Sequence, residues 1–170
     1  MENFANKADQ KVLSENVEQF LTFQLAGQLY GVEILRVQEI KGWEKPTRLP
    51  HSPVFIQGVI NLRGAVVPIL DLRRRFGLGE ADYGRTTVVI VVKVDTERGE
   101  LTAGMVVDGV CEVSNIRAQE LRAPPEMAAA IDTDFVRGLA MVDEKMLILL
   151  DVVRLISSTL ADTTPGSKAA

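Results

Sequence analysis

Cysteine, histidine and tryptophan occur once each, and tyrosine twice, in a chain of 170 residues. The single cysteine, Cys111, excludes an intramolecular disulfide, so nothing in the chain requires an oxidising compartment. No Cys/His cluster is present for zinc, and neither a Gly-x-Gly-x-x-Gly nor a P-loop pattern occurs. His51 lies in Pro50-His51-Ser52-Pro53, with no carboxylate near it in sequence, and reads as a loop residue. Cys111 runs with apolar Val110 and Val113 in a strand-like stretch and reads as a packed thiol rather than a nucleophile. No catalytic constellation is found, and no cofactor or metal is expected. A net charge of −4 and 5% aromatics speak against a nucleic-acid binder, which needs a basic, stacking face. Long apolar runs are missing too. The longest, 86–92 and 146–150, are far short of a membrane span, and the first thirteen residues hold no signal-peptide core. The expectation is a soluble, cytoplasmic protein without direct membrane insertion.

What is present is a doubled block. Phe55-Ile56-Gln57-Gly58-Val59-Ile60-Asn61-Leu62-Arg63-Gly64-Ala65-Val66-Val67-Pro68-Ile69-Leu70-Asp71-Leu72 has a gapless, degenerate copy 80 residues later. Phe135 answers Phe55, Gly138 answers Gly58, and Leu150-Asp151 answer Leu70-Asp71. Ile56, Val59, Leu62, Val66, Val67, Ile69 and Leu72 each meet another apolar residue, which marks these positions as belonging to the fold. Upstream, Gly31 to Ile40 is repeated 73 residues later as Gly104 to Val113.

The pattern within each copy is that of short strands. Phe20 to Leu25 alternates at period two, and Leu29 to Val32 returns after an Ala26-Gly27-Gln28 turn. Val37 to Ile40 fits either a helix or a strand. Gly58 to Leu62 and Ala65 to Leu70 form a hairpin about Arg63-Gly64, and Asp71 is placed to cap a short helix ending at Gly77. The second copy follows suit, with strands in 86–94, 101–107, 136–142 and 146–150, and Asp151 capping a helix to Leu160. Five short strands in some 65 residues bury their apolar face best by curling into a barrel, which also removes exposed edges. The predicted fold is therefore all-β: two small five-stranded barrels side by side, as intertwined subdomains at about 19–80 and 86–152, with short helices after each. Residues 1–18 and 161–170 are expected to be flexible tails.

The two offsets differ by seven residues, which must be inserted between Val113 and Phe135. Pro124 and Pro125 stiffen this excursion. Arg63 also lacks a counterpart, since Asp143 stands at its place, so the repeated fold does not require it. An arginine on a rigid turn suits a two-pronged contact with a carboxylate. Arg73-Arg74-Arg75 reads as a solvated helix face.

The run Gly-x-x-Asn-Leu-Arg-Gly at Gly58 to Gly64, continued by Val67-Pro68 and Asp71-Leu72, resembles the signature of CheW-type chemotaxis coupling proteins. So do Tyr30 to Ile40 and Gly104 to Val110, and the resemblance spans about 18–160. It implies a non-enzymatic adaptor joining the tips of chemoreceptors to the regulatory domain of the histidine kinase CheA, with each barrel SH3-like. By motif it implies a receptor surface at Val37, Glu39, Asn61, Arg63, Val88 and Val113, in or near a groove between the barrels. A kinase contact is expected on the insertion, at Arg122, Glu126 and Met127. An adaptor in another chemosensory system, for pilus motility or development, carries the same motifs. An enzyme and an RNA-binding barrel are the rivals from other classes, and both lack their required residues.

Overall fold

Strands form where β-branched and aromatic side chains recur at period two. Ten are found in the computed structural model, which describes residues 16–79, 83–124 and 133–163. They are β1 (Val17–Leu25), β2 (Gln28–Glu33), β3 (Val37–Gly42), β4 (Ile56–Leu62), β5 (Ala65–Asp71), β6 (Val88–Thr96), β7 (Gly99–Val107), β8 (Gly109–Arg117), β9 (Val136–Val142) and β10 (Lys145–Leu150). Two α-helices follow β5 and β10: α1 (Leu72–Arg75) and α2 (Val152–Thr163). The segment at Val37 is thus a strand, entered through a 3-10 turn over Ile34–Arg36. Order already includes Val17 and Glu18, which the sequence assigned to a tail, and α2 runs three residues past Leu160.

The strands form two five-stranded sheets, ordered β8-β1-β2-β10-β9 and β3-β6-β7-β5-β4. Replacing each strand by its repeat counterpart converts one order into the other. The two barrels are nevertheless not the segments 19–80 and 86–152. β1 and β2 are built into the sheet that holds β8, β9 and β10, while β6 and β7 join β3, β4 and β5. Each half of the sequence lends two strands to the other. The first barrel, as we number them, contains β1, and the second contains β3.

The exchange rests on two parallel pairings in equivalent register. Gly31 of β2 lies opposite Leu149 of β10, and Gly104 of β7 lies opposite Ile69 of β5. A Cβ at Gly31 would stand 2.8 Å from Leu149 Cδ2, and one at Gly104 would stand 2.7 Å from both Ile69 Cδ1 and Val89 Cγ1. Glycine leaves room at each crossing for the apolar side chain of the other half.

Both sheets then close on themselves. Thr47, just beyond β3, exchanges both backbone hydrogen bonds with Val59 of β4, at 2.9 and 2.8 Å. Arg122, beyond β8, does the same with Leu139 of β9, at 2.8 Å each. Val59 and Leu139 are repeat partners, so Arg122 is the counterpart of Thr47. Two of the seven extra residues therefore precede Arg122 and five follow it, and its backbone is not peculiar to the second copy.

Each barrel interior is small: Leu62, Val67, Ile69, Val89, Val91 and Val106 in one, Phe20, Ile116, Ala140, Leu147 and Leu149 in the other. A larger cluster lies between the barrels and draws on both sheets, with Phe23, Leu25, Tyr30, Leu70, Ile90, Val92, Met105 and Leu150 among its members. β1 and β6 are buried on both faces, one toward a barrel interior and the other toward this shared core. The unbroken apolar run Val88 to Val92 is the consequence.

α1 is one turn long, and Asp71 caps it by accepting from the Arg73 and Arg74 amides. Its arginines are half-buried rather than a solvated face. Arg73 pairs with Asp108 at 2.7 Å, and Asp108 also accepts the Ala26 amide of the β1–β2 turn at 2.8 Å. Burial pushes the Asp108 pKa up, but the bonds from Arg73 and Ala26 with the Arg73 charge outweigh it and hold the carboxyl below its ordinary value. Arg75 reaches across to α2.

Two outcomes follow from this architecture. Gly104→Ala costs about 1–3 kcal/mol through the clash with Ile69 and Val89, whereas Gly42→Ala, with nothing within 4 Å of its Cβ, is expected to stay within about 0.5 kcal/mol; thermal unfolding of both variants measures the contrast. Asp108 stabilises the fold above its unfolded-state pKa, and that contribution is lost as pH falls through its lowered folded-state value. Asp108→Asn is accordingly less stable than the parent at pH 7, with the gap closing on acidification in urea titrations.

Candidate interaction surface

The β4–β5 turn is the two-residue type with positive φ at both central residues, one of those whose backbone matches the twist of the flanking strands. Arg63 has φ 49° and Gly64 φ 88°. The second copy makes the same turn with Asp143 at 48° and Glu144 at 65°, so Gly64 is helpful there rather than indispensable. Asn61 accepts the Gly64 amide at 2.8 Å and ties the turn down. Its repeat partner Met141 has no such acceptor.

Held in this way, Arg63 projects with 65% of its side chain exposed. Its Nη1 lies 3.2 Å from Oε2 of Glu39 on β3, which is 27% exposed. The other carboxylate oxygen of Glu39 is buried without a hydrogen-bond partner. The pair spans from β3 to the β4–β5 turn, so the edges of the second barrel meet there. Glu112, the repeat of Glu39, is exposed on β8, and at Arg63's position the repeat carries the like-charged Asp143. The two glutamates therefore do not share a role.

The remaining receptor candidates are distributed unevenly. Val37 shares β3 with Glu39 and is half-buried against the shared core, as is Val88 at the start of β6, opposite Gly42. Val113 stands on the other barrel, on β8 opposite Leu21, and is exposed. Cys111 on the same strand is exposed rather than packed, because it falls on the outward face. Of the kinase candidates, Arg122 is exposed, while Glu126 and Met127 lie outside the described residues.

A groove of about 530 Å³ runs from Arg63 and Val66 past Glu100, Leu101 and Thr102 of β7 to Leu160 of α2. Its walls come from the second barrel and from α2. A second cavity of about 530 Å³ adjoins it through Leu101 and Leu160 and continues along α2 to Asp95 and Arg98. Arg63 alone among the receptor candidates lines the first groove.

Several exposed apolar side chains escaped the sequence reading. Val66 is 73% exposed and Met146 45%, although their shared apolar character had assigned both to the fold. Strand parity was the available signal: with Val67 and Ile69 inward, Val66 points out. Met146 pairs across its hairpin with exposed Met141, and Leu35 of the 3-10 turn is 93% exposed. None of these carries a charge or motif that sequence alone would single out.

The CheW-like domain family matches residues 19–160. The chain is 44% identical over 149 residues to the chemotaxis protein CheW of Klebsiella aerogenes, covering 87% of each chain. It is 35% identical over 149 residues to a probable chemotaxis protein CheW of Rhizobium etli, covering 88% of this chain and 94% of that one. Its fold matches the crystal structure of the scaffolding protein TtCheW from Thermoanaerobacter tengcongensis with a TM-score of 0.72, at 37% identity over 79% of this chain and 84% of the other.

Since Arg63 itself is mostly solvated, Arg63→Ala is expected to cost less than about 1 kcal/mol of stability. Asn61→Ala, which orphans the Gly64 amide at the turn, is expected to cost about 1 kcal/mol. Urea unfolding of the two variants tests this; a larger loss for Arg63 would mark it as a structural residue.

Proposed function

The chain belongs to the CheW-like domain family, and from that premise we propose that it is a non-enzymatic adaptor linking chemoreceptor tips to the regulatory domain of the histidine kinase CheA in chemotaxis signalling. It works in the cytoplasm, held at membrane receptor arrays through protein contacts alone. Val37, Glu39, Asn61, Arg63, Val88 and Val113 form the receptor side. Arg122, Glu126 and Met127 form the kinase side.

The observation that carries this reading is the separation of the two arginines. Arg63 sits on the hairpin of the second barrel, in the groove that runs to α2. Arg122 is bonded to β9 of the first barrel. Both are exposed and neither is needed by the repeated fold, since Asp143 and Thr47 stand in their places. An adaptor requires two such surfaces that can be occupied at once. It then gathers receptor and kinase at high effective concentration, so each contact can stay weak.

On the receptor side, the helices of a coiled-coil tip offer carboxylates to Arg63, and Glu39 holds the guanidinium ready for them. Val37 and Val88 lend apolar area where they emerge from the shared core. On the kinase side, a regulatory domain of the same double-barrel fold meets the first barrel end to end.

Pull-down of a receptor tip and of the kinase regulatory domain, with Arg63→Ala and Met127→Ser compared, separates the surfaces. Arg63→Ala is expected to weaken receptor capture by about tenfold, the equivalent of ~1.4 kcal/mol, and to leave kinase capture intact. Met127→Ser is expected to do the reverse. Equal loss of both partners in either variant would contradict the two-surface reading.

A further inference from the structure

α1 and α2 occupy equivalent places in the two halves, and their residues correspond at the same spacing of 80. Arg75 on α1 therefore answers Leu155 on α2. Leu155 is fully buried in the shared core, so a leucine satisfies the fold at this position. Arg75 does something else. Its guanidinium carbon lies 5.0 Å from the ring centre of Phe55 and 4.6 Å from that of Phe135. These two rings are themselves repeat partners: each stands just ahead of β4 or β9, and each carbonyl accepts an amide at 2.8 Å, from Asp71 and Asp151 respectively. One arginine thus serves the same residue in both barrels. Its Nε also donates to Thr159 Oγ1 on α2 at 3.1 Å. Thr159 is 1% exposed, and its hydroxyl donates in turn to the Leu155 carbonyl at 2.6 Å.

We propose that Arg75 is the joint that fixes the two barrels at one mutual angle. Apolar contact is non-directional and tolerates small rotations of one barrel against the other. A planar guanidinium that must face two rings and meet one buried hydroxyl tolerates far fewer. The apolar core supplies cohesion, and Arg75, beside the Arg73–Asp108–Ala26 bonds at the other end of α1, supplies the angle. In an adaptor with one partner on each barrel, this joint passes a displacement of one barrel to the other, a consequence that rests on the function proposed above.

The joint can be tested without any partner. Spin labels are placed on one exposed turn of each barrel, at Arg98→Cys and Asp143→Cys, in the full chain with Cys111→Ser. Arg75→Met keeps the length and apolar bulk of the side chain while removing its charge and its hydrogen bond. The expected result is an inter-barrel distance distribution about twofold broader than in the parent. Thr159→Val, which removes only the hydroxyl, is expected to broaden it less and serves if Arg75→Met fails to fold. A distribution of unchanged width in the folded variants overturns the proposal. In a second arm, a receptor tip changes the affinity for the kinase regulatory domain in the parent but not in Arg75→Met. Absence of partner binding in the parent would count against the adaptor reading and leave the distance result standing; a coupling that survives Arg75→Met would overturn the role of the joint in signalling.

Discussion

Everything in this molecule depends on the exchange of strands between its two halves. Glycine at positions 31 and 104 lets Leu149 and Ile69 of the opposite half lie flat against the crossing strands. Once the crossing is made, β1 and β6 have partners on both faces. Neither half of the sequence could then build a barrel alone, since each barrel takes strands from both halves. The two interiors hold few buried residues, whereas the core between the barrels is the largest apolar cluster of the described residues. A single barrel of this size would be marginal alone, because so little of its surface is buried on folding. Sharing a core converts two marginal units into one body.

That arrangement also sorts residues by use. Positions that repeat are mostly those the exchange needs: the glycines at the crossings, the inward apolar side chains, and Asp71 and Asp151 at the starts of α1 and α2. Positions that do not repeat are free of this duty. Arg63 rides on a turn whose geometry its counterpart Asp143 reproduces. Arg75 lies where the other half carries Leu155. The proposed binding surface and the proposed joint between barrels are therefore variations on a symmetric frame, and the asymmetry is where a function that distinguishes two partners can reside.

Much of the frame was legible in the sequence. Strand periodicity, the Arg63-Gly64 turn and the capping aspartates come from local physics, and a gapless register revealed the repeat. The pairing of strands across halves was hidden, since two contiguous barrels and two exchanged ones share the same apolar pattern. The offset of seven residues placed the insertion only to within the span from Val113 to Phe135; the backbone bonds of Arg122 divided it. The repeat match misled at Val66 and Met146, where an apolar pair between copies stood for a shared outward face that strand parity would have shown. Arg73 and Arg75 read as surface charges because their partners, Asp108 and the two phenylalanines, are distant in sequence. The family motifs supplied the candidate surface residues. They left Val113 on a different barrel from the rest, a spread that only the three-dimensional arrangement shows.

Two separate surfaces, one on the second barrel with Val113 as its outlier and the other on the first barrel about Arg122, are proposed to hold two partners at once. Amide chemical shifts of the labelled full chain, titrated with a receptor tip, with the kinase regulatory domain, and with both together, test it most directly. Shifts are expected about β3 and the β4–β5 turn for the receptor, about Arg122 and β9 for the kinase, and in both sets together for the mixture. One overlapping set of shifts, with either partner displacing the other, would contradict it.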